Sequence, residues 1–211
     1  MTIQAPEDFL FFHLQRERRP PLCHTLFQDT RFLELLLLID VELAAKVRAG
    51  GCVCGGRLHQ GNYARKPRGG PDGLDEKFEL RFSFCCGVEG CRARRMPPSV
   101  RFLGPKVFYG ALVVLASAML QGPTKQNATL LGELLGISRR TLGRWRGWWL
   151  ISFPASRFWR SLRGRFIPVV EEETLPLSLV ERLGGDESSL LALLRLLQPI
   201  STTPGLEASA S

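Results

Sequence analysis

The chain has 211 residues, a formal net charge of +8 at pH 7 and a pI near 9.6. A hydrophobic content of 45% allows a packed core, in one domain or two small ones, and the basic balance indicates a polyanionic partner. The longest apolar stretch, residues 107–120, is shorter than the roughly 20 residues needed to cross a bilayer, so we expect a buried core helix and no membrane partner. The N-terminal basic cluster follows the apolar run instead of preceding it, which argues against a secretory signal.

The first helical pattern covers residues 29–49 and leads directly into the first cysteines. Asp29 or Thr30 can cap its start, and the Gly50–Gly51 pair can end it. The residues that fall at helical spacing, and so predict the buried face, are Leu33, Leu36, Leu37, Val41 and Ala44. We assign residues 1–49 to an N-terminal helical segment.

Two short cysteine clusters, flanked by glycines, predict a small metal-binding domain over residues 50–104. The clusters are Cys52 with Cys54, and Cys85 and Cys86 with Cys91. Between them, residues 77–84 alternate apolar and polar side chains, which predicts a half-buried strand. Zinc takes four ligands in a tetrahedron, and two short-spaced clusters can close on it from two turns. The arrangement is that of a zinc ribbon.

Strand alternation selects among the three cysteines of the second cluster. Cys86 shares a face with Phe84, whereas Cys85 lies on the other face. The predicted ligands of a structural Zn²⁺ ion are Cys52, Cys54, Cys86 and Cys91. Cys85 in place of Cys86, and His59 in place of Cys54, remain open alternatives, as does a cluster of thiols without metal. The isolated Cys23–His24 pair is expected in the core or on the surface.

The ribbon is also predicted to display basic side chains. They are Arg65, Lys66 and Arg68 between the cysteine clusters, and Arg92, Arg94, Arg95 and Arg101 around the second cluster. Exposed arginines on a metal-pinned turn suit phosphate contacts. The stretch "KPRGGP" resembles the AT-hook, with Gly70 in place of its second arginine, and the alternative is a solvated basic loop.

Residues 124–151 predict a helix-turn-helix within a helical domain at 105–165. The buried side of its first helix is formed by Leu130, Leu131, Leu134 and Leu135. Gly136 permits a tight turn, and Ser138 is a good N-cap for the second helix. At about 100° per residue, Leu142, Trp145 and Trp149 line one face of that second helix.

The opposite face of the second helix is basic and includes two glycines, which add no side-chain bulk. It carries Arg139, Arg140, Gly143, Arg144 and Gly147. Such a face can enter the major groove closely, where arginine binds guanine edges through two hydrogen bonds. Arg139 and Arg140 are placed for base contacts, Arg144 for bases or backbone, and Arg146 for phosphate. An ordinary helical hairpin with a solvated arginine face is the alternative.

The string "LGISRRTLGRW" resembles the LGxSxxTLxRW pattern of helix-turn-helix modules in bacterial regulators and transposases. A cysteine ribbon followed by a helix-turn-helix is similar to the DNA-recognition half of insertion-element transposases, and to accessory proteins of mobile elements, over roughly residues 50–151. The resemblance implies sequence-directed binding of double-stranded DNA by an accessory or regulatory protein, or by a recognition subunit without a catalytic core. It also implies a cytoplasmic, nucleoid-associated location.

We expect no enzymatic activity. The acids after residue 166 lie in a leucine-rich helical segment, 166–200, without the strand pattern that a transposase catalytic core needs to hold two metal ions. Residues 201–211 are predicted to be a disordered tail. Together these segments predict an α+β fold.

Two other classes of function remain open. A protein-interaction adaptor would use the leucine-rich helices at 29–49 and 178–198 to hold a protein partner or to form a homodimer. An RNA-binding protein would prefer single strands or hairpins over duplex DNA.

Overall fold

The structure is a computed structural model that describes residues 30–71, 73–103, 108–119, 133, 136–184 and 187–202. It combines helices with two small sheets, as the predicted α+β class requires. Cys23, His24, the leucines of the first predicted helix-turn-helix element and residues 203–211 lie outside the described residues.

The α-helices are α1 (Thr30–Ala49), α2 (Gly110–Met119), α3 (Arg139–Gly147), α4 (Phe153–Ala155), α5 (Arg157–Leu162), α6 (Leu177–Arg182) and α7 (Glu187–Leu197). A π-helical turn, Trp148–Ser152, joins α3 to α4. Short 3₁₀ turns cover Glu76–Phe78, Arg163–Arg165, Glu172–Thr174 and Gln198–Ser201.

The strands are β1 (Leu58–Gln60), β2 (Tyr63–Ala64), β3 (Leu80–Arg81), β4 (Phe84–Cys86) and β5 (Arg94–Arg95). An antiparallel sheet has the order β1-β4-β5, and β2 pairs with β3 in a separate antiparallel ribbon. The register places Leu58 opposite Cys86 and His59 opposite Cys85.

The single strand predicted over residues 77–84 is wrong, because the segment divides between two sheets. Glu76–Phe78 forms a 3₁₀ turn, β3 pairs with β2, and β4 pairs with β1 and β5. Ser83 lies at the division, where its N–H donates to Oδ1 of Asn62 at 3.0 Å and its carbonyl accepts from the N–H of Gly61 at 2.8 Å. The alternation of apolar and polar residues did not reveal that the pairing strand changes at Ser83.

Helix α1 confirms the predicted element and its end. Gly51, just beyond the helix, has a left-handed φ of +66°, a conformation that favours glycine. Leu33, Leu36 and Ala44 are buried as predicted, but Val41 is 46% exposed. The buried face is therefore rotated away from Val41, and Asp40 is buried in its place.

Helix α2 is the centre of the larger hydrophobic cluster and confirms the predicted core helix. Four consecutive residues, Ala111 to Val114, are no more than 1% exposed. Helices α3, α6 and α7 pack against α2. A separate, smaller cluster lies beneath the ribbon and consists of Ala44, Cys52, Leu58, Phe84 and Cys86.

Most leucines of the C-terminal helices are buried in the larger cluster or packed against it. Leu179, Leu193 and Leu197 are buried in the larger cluster, so this part of the 178–198 segment serves the chain's own core. Ser201 is also buried, and its hydroxyl accepts from the N–H of Ser99 at 2.8 Å. The predicted disordered tail therefore cannot begin at residue 201.

A buried ion pair joins α1 to the segment that follows the ribbon. Oδ2 of Asp40 accepts from Nε of Arg101 at 2.8 Å and from the hydroxyl of Ser99 at 2.6 Å. Oδ1 accepts from the N–H of Val100 at 2.8 Å. Neither charged side chain has any exposed surface. Burial removes the water that would otherwise solvate the carboxylate, so these three donors must stabilise its charge.

The prediction that Arg101 is an exposed phosphate-binding side chain is wrong. Its NH1 and NH2 nitrogens donate to the carbonyls of Phe78 at 2.9 Å and Leu80 at 2.8 Å. Its guanidinium also lies 4.9 Å from the ring centroid of Phe102. Because a buried guanidinium must be paired, Arg101 holds the start of β3 against α1.

Asp40→Asn is expected to lower the free energy of unfolding by about 3–5 kcal/mol, because it leaves the buried charge of Arg101 without a counter-ion. Chemical denaturation followed by circular dichroism measures the change. Glu34→Gln removes an exposed acid of the same helix and should stay within about 0.5 kcal/mol of the parent protein. Equal stability of the two variants would contradict this role of Asp40.

Candidate metal centre and basic surface

The four cysteines predicted as ligands lie together. The sulfur atoms of Cys52, Cys54, Cys86 and Cys91 are all within 4.8 Å of one another. Cys52 Sγ is 3.8 Å from Cys91 Sγ, and Cys54 Sγ is 3.4 Å from Cys86 Sγ. A tetrahedral zinc site with Zn–S distances of about 2.3 Å has sulfur–sulfur edges of about 3.8 Å. The cluster is therefore of the right size to hold one metal ion.

Two tight turns bring the sulfur atoms together. After α1, the N–H of Gly55 donates to the carbonyl of Cys52 at 2.9 Å, which folds the first pair into a turn. After β4, the N–H of Cys91 donates to the carbonyl of Val88 at 3.2 Å and closes the second turn. Gly55 and Gly90 have left-handed φ angles of +80° and +84°, which explains the glycine in each turn.

Backbone N–H groups point at three of the four sulfur atoms. The N–H of Val88 donates to Cys86 Sγ at 3.5 Å. Cys52 accepts in the same way from Cys54, and Cys91 accepts from Ala93. In each case the donor lies two residues after the cysteine. These donors favour the thiolate form that a metal requires and orient each sulfur toward the centre.

The thiols also influence one another's ionisation. The N–H of Cys54, with hydrogen bonds from the neighbouring thiols, lowers the pKa of Cys52 to about 6 against the opposing effect of burial. The N–H of Val88 lowers the pKa of Cys86, but burial and the other cluster thiols outweigh it and raise that pKa to about 12. A metal must displace the proton of Cys86, so metal affinity falls as pH falls.

Gly56 is required by the packing around the sulfur atoms. A Cβ at this position would lie 2.7 Å from Cys86 Sγ and 2.5 Å from a methyl carbon of Val88. Both distances are shorter than van der Waals contact, and Cys86 is held by β4. Only glycine lets the first turn approach the second this closely.

Gly56→Ala is therefore expected to weaken the affinity for a divalent probe such as Co²⁺ by at least about tenfold, by displacing the Cys86 sulfur. Titration followed by the thiolate-to-cobalt absorption measures the affinity. Gly164→Ala is the matched control, because a Cβ at Gly164 meets no atom of the described chain within 4 Å. An unchanged Co²⁺ affinity in Gly56→Ala would show that the second turn can move away at little cost.

The two alternative ligands lie outside the cluster. Cys85 and His59 face each other across the β1–β4 pair, on the side of the sheet opposite to Cys86. Cys85 Sγ lies over Gly61, 3.2 Å from where a Cβ would stand. The alternation used to select Cys86 thus agrees with the observed strand register.

The basic residues of the ribbon differ in exposure. Lys66, Arg68, Arg92 and Arg94 are exposed, whereas Arg65 and Arg95 are half-buried. The guanidinium of Arg94 lies 5.4 Å from the ring centroid of Tyr63, and that of Arg65 lies 5.4 Å from the ring of Phe102. These ring contacts restrain both arginines without removing their charge.

The "KPRGGP" stretch is docked on the core and is not a freely solvated loop. The carbonyl of Arg68 accepts from the N–H of Tyr109 at 3.3 Å. A Cβ on Gly69 would lie 2.1 Å from Leu112, and one on Gly70 would lie 2.9 Å from the ring of Tyr109. The two glycines thus allow the backbone to lie against α2.

Helix α3 confirms the predicted cap and buried face. The hydroxyl of Ser138 accepts from the N–H of Thr141 at 3.3 Å. Leu142 and Trp145 are buried, and the Trp145 ring meets Phe108 edge-on at 5.1 Å between centroids. Gly136, before the cap, has a left-handed φ of +60°. The preceding helix of the predicted motif lies outside the described residues, apart from Glu133.

The outward face of α3 is basic and open. Its arginines, all exposed, are Arg139, Arg140, Arg144 and Arg146. Among the described residues, a Cβ built on Gly143 or Gly147 would meet no atom within 4 Å. Neither glycine is thus required by packing against the part of the chain that the structure describes.

A series of aromatic contacts, missed by the sequence analysis, fixes the segment after α3. The ring of Phe153 lies 5.0 Å from Trp149 and 5.1 Å from Trp159, centroid to centroid. Trp159 Nε1 donates to Glu172 Oε1 at 2.7 Å, and Arg163 donates to the same oxygen at 3.2 Å. All four tryptophans of the chain lie between residues 145 and 159, and this clustering was the available sequence signal. Glu172, the second of three consecutive glutamates at 171–173, therefore has a structural role.

The chain matches no protein-family model, and searches of curated proteins and of solved structures return no match. Within the described ranges, no helix is both long and apolar enough to span a membrane.

Proposed function

We propose that the protein binds double-stranded DNA through the outward face of α3, and that a structural Zn²⁺ ion in the four-cysteine cluster stabilises the fold of the ribbon. The observation that carries the proposal is the pair of open glycines, Gly143 and Gly147, among exposed arginines. The metal ion would then stabilise the fold, and the basic helix would recognise the DNA.

The glycines of α3 destabilise the helix without a packing reason in the described chain. Glycine inside a helix costs roughly 1 kcal/mol relative to alanine. The φ of Gly147 is −58°, an ordinary helical value, and both positions have open space for a side chain. Close approach of another molecule's backbone would account for both glycines.

The neighbouring side chains suit a nucleic-acid backbone and base edges. NH2 of Arg144 donates to the Thr141 hydroxyl at 3.3 Å, and that hydroxyl lies 3.0 Å from the hydroxyl of Ser138. Arg144 is thus partly ordered before any ligand arrives. Arg140 lies at the centre of the same face, where it could bind a guanine edge through two hydrogen bonds.

Zinc is the metal that best fits four thiolates in a tetrahedral arrangement. Four sulfur ligands leave no position for a reacting water, so the ion would be structural. The cluster beneath the ribbon contains only five buried residues, two of them the ligands Cys52 and Cys86. Binding of zinc would therefore supply much of the ribbon's folding free energy. Lys66, Arg68 and Arg92 would then be presented to phosphates.

The order of the two modules supports a narrower proposal. A cysteine ribbon ahead of a basic helix suits a recognition or regulatory component of a mobile element, which would act with a separate catalytic protein. The DNA site would be selected by the arginines of α3, which are Arg139, Arg140, Arg144 and Arg146. The ribbon would fix the orientation of the protein on the duplex through contacts with the phosphate backbone.

Cys86→Ser is expected to lose stoichiometric zinc and to unfold the ribbon, because a hydroxyl replaces a thiolate ligand. Zinc content after dialysis and the circular dichroism spectrum measure both effects. Cys85→Ser is the matched control, since it makes the same change at the adjacent residue outside the cluster, and should keep its zinc. Full zinc in Cys86→Ser with loss in Cys85→Ser would refute the ligand assignment.

Gly143→Leu is expected to reduce duplex affinity at least tenfold while leaving stability unchanged or higher, because the side chain enters open space but blocks the groove. Gly164→Leu, another open position, controls for added bulk. Titrations of zinc-loaded protein with labelled duplex, hairpin RNA and single strands across a salt series would measure affinity, and tight duplex binding should weaken steeply with salt.

The same titrations separate base contacts from phosphate contacts. Arg140→Ala should cost about 1–3 kcal/mol on the preferred site and relax sequence preference if it contacts a base. Equal loss on every sequence would reassign Arg140 to phosphate. Weak binding of the parent protein to all three nucleic acids, or full duplex affinity in Gly143→Leu, would refute the proposed mode of DNA binding.

A further inference from the structure

A basic cleft opens where α1 meets the ribbon. Its volume is about 660 Å³, which is in the range of small-ligand sites. Arg48, Arg57 and His59 line it, together with the glycine-rich turn between α1 and β1. Among the described residues that line the cleft, none is acidic. The cleft therefore offers hydrogen-bond donors and positive charge without a counter-charge of its own.

The turn between α1 and β1 brings two arginines from separate elements to this cleft. Arg48 belongs to the last turn of α1, and Arg57 immediately precedes β1. The N–H of Cys52 donates to the carbonyl of Gly56 at 3.1 Å and closes the loop between the two elements. The chain thus folds back on itself, so that arginines from the two sides of the turn line the same cleft.

The third donor, His59, comes from β1. The carbonyl of Arg57 accepts from the N–H of Gly87 at 3.0 Å, which continues the pairing of β1 with β4 by one residue. Because side chains alternate along a strand, Arg57 and His59 share the face opposite to Leu58, which is buried beside Cys86. The imidazole lies over Gly87, where a Cβ would be 2.5 Å from Nε2 of His59.

No described group neutralises the cleft. Arg48, Arg57 and His59 are exposed, and within the described chain none of their side chains forms a salt bridge or a hydrogen bond. Residues 43–71 contain no aspartate or glutamate, so no acid close in sequence can reach them. Two guanidinium groups and an imidazole in one concave site favour an anionic ligand.

Two nearby sources of negative charge do not close the cleft to an anion. The C-terminal end of a helix carries a partial negative charge. In α1, however, the carbonyls of Lys46 and Arg48 accept from the N–H groups of Gly50 and Gly51 at 3.1 and 3.2 Å. The second source is the thiolate cluster, whose Cys52 also borders the cleft. The two arginines could therefore serve as counter-charges for that cluster, and the experiments below separate this role from ligand binding.

We propose that the cleft binds a phosphate group through the guanidinium groups of Arg48 and Arg57 and a ring N–H of His59. A guanidinium matches a phosphate with two parallel hydrogen bonds, and the opposite charges strengthen both. Two sources share this chemistry, which are the backbone of a nucleic acid and a free phosphate compound. The site is separate from the basic face of α3 and does not depend on DNA recognition by that helix.

Titration of the zinc-loaded full chain with inorganic phosphate, without DNA and at constant ionic strength, tests the site by NMR. The side-chain signals of Arg57 and His59 should shift saturably with phosphate and stay unchanged with chloride. Arg57→Gln should weaken the phosphate affinity at least about tenfold, because it removes charge-assisted hydrogen bonds. Arg195→Gln, the matched control, removes an exposed arginine of α7 and should leave the affinity unchanged.

A Co²⁺ titration of the same variants separates the cleft from the metal cluster. Arg57→Gln should keep the Co²⁺ affinity of the parent protein. Weaker Co²⁺ binding together with unchanged phosphate binding would assign the guanidinium to the thiolates and overturn the proposal. The absence of a saturable response to phosphate in the parent protein, or an equal response in Arg57→Gln, would overturn it as well.

Duplex titrations across a salt series distinguish the two sources of phosphate. If the DNA backbone occupies the cleft, Arg57→Gln should make the slope of log affinity against log salt shallower by about 1, equally on every sequence. An unchanged slope with weakened binding of inorganic phosphate assigns the cleft to a free phosphate compound. Because the phosphate titration contains no DNA, its failure leaves the proposal for α3 standing, and failure of duplex binding leaves the cleft standing.

Discussion

The buried pair of Asp40 and Arg101 is the constraint on which the arrangement of the described chain depends. The carboxylate draws α1 against the segment that leaves the ribbon, and the guanidinium holds the carbonyls before and within β3. Ser99 bonds to Asp40 and also donates its N–H to Ser201, so the chain's C-terminal turn joins the same network. Buried charges tolerate little displacement, because each lost partner leaves an unsatisfied group away from water.

The ribbon is held at one end by this network and at the other end by its own cysteine cluster. Its own apolar cluster is small, so two tight turns and their convergent sulfur atoms must supply much of the remaining order. Gly56 shows how closely those turns approach, since even one methyl group would contact Cys86. A metal ion there would fix the basic side chains of the ribbon relative to the helical core.

Two helices present opposite kinds of surface. The outward face of α3 is basic and has no side chain at Gly143 and Gly147, which suits a polyanion that approaches closely. The outward face of α1 instead carries the exposed apolar side chains of Leu35 and Leu38.

The sequence by itself determined what local pattern and spacing encode. Helical period and glycine set α1 and its end, the serine cap set the start of α3, and strand alternation separated Cys86 from Cys85. Only the tertiary structure decided that residues 77–84 divide between two sheets, that Val41 faces outward, and that Arg101 is buried. Those outcomes depend on residues distant along the chain. Asp40 in α1 makes burial of Arg101 possible, and no local window around Arg101 contains that carboxylate.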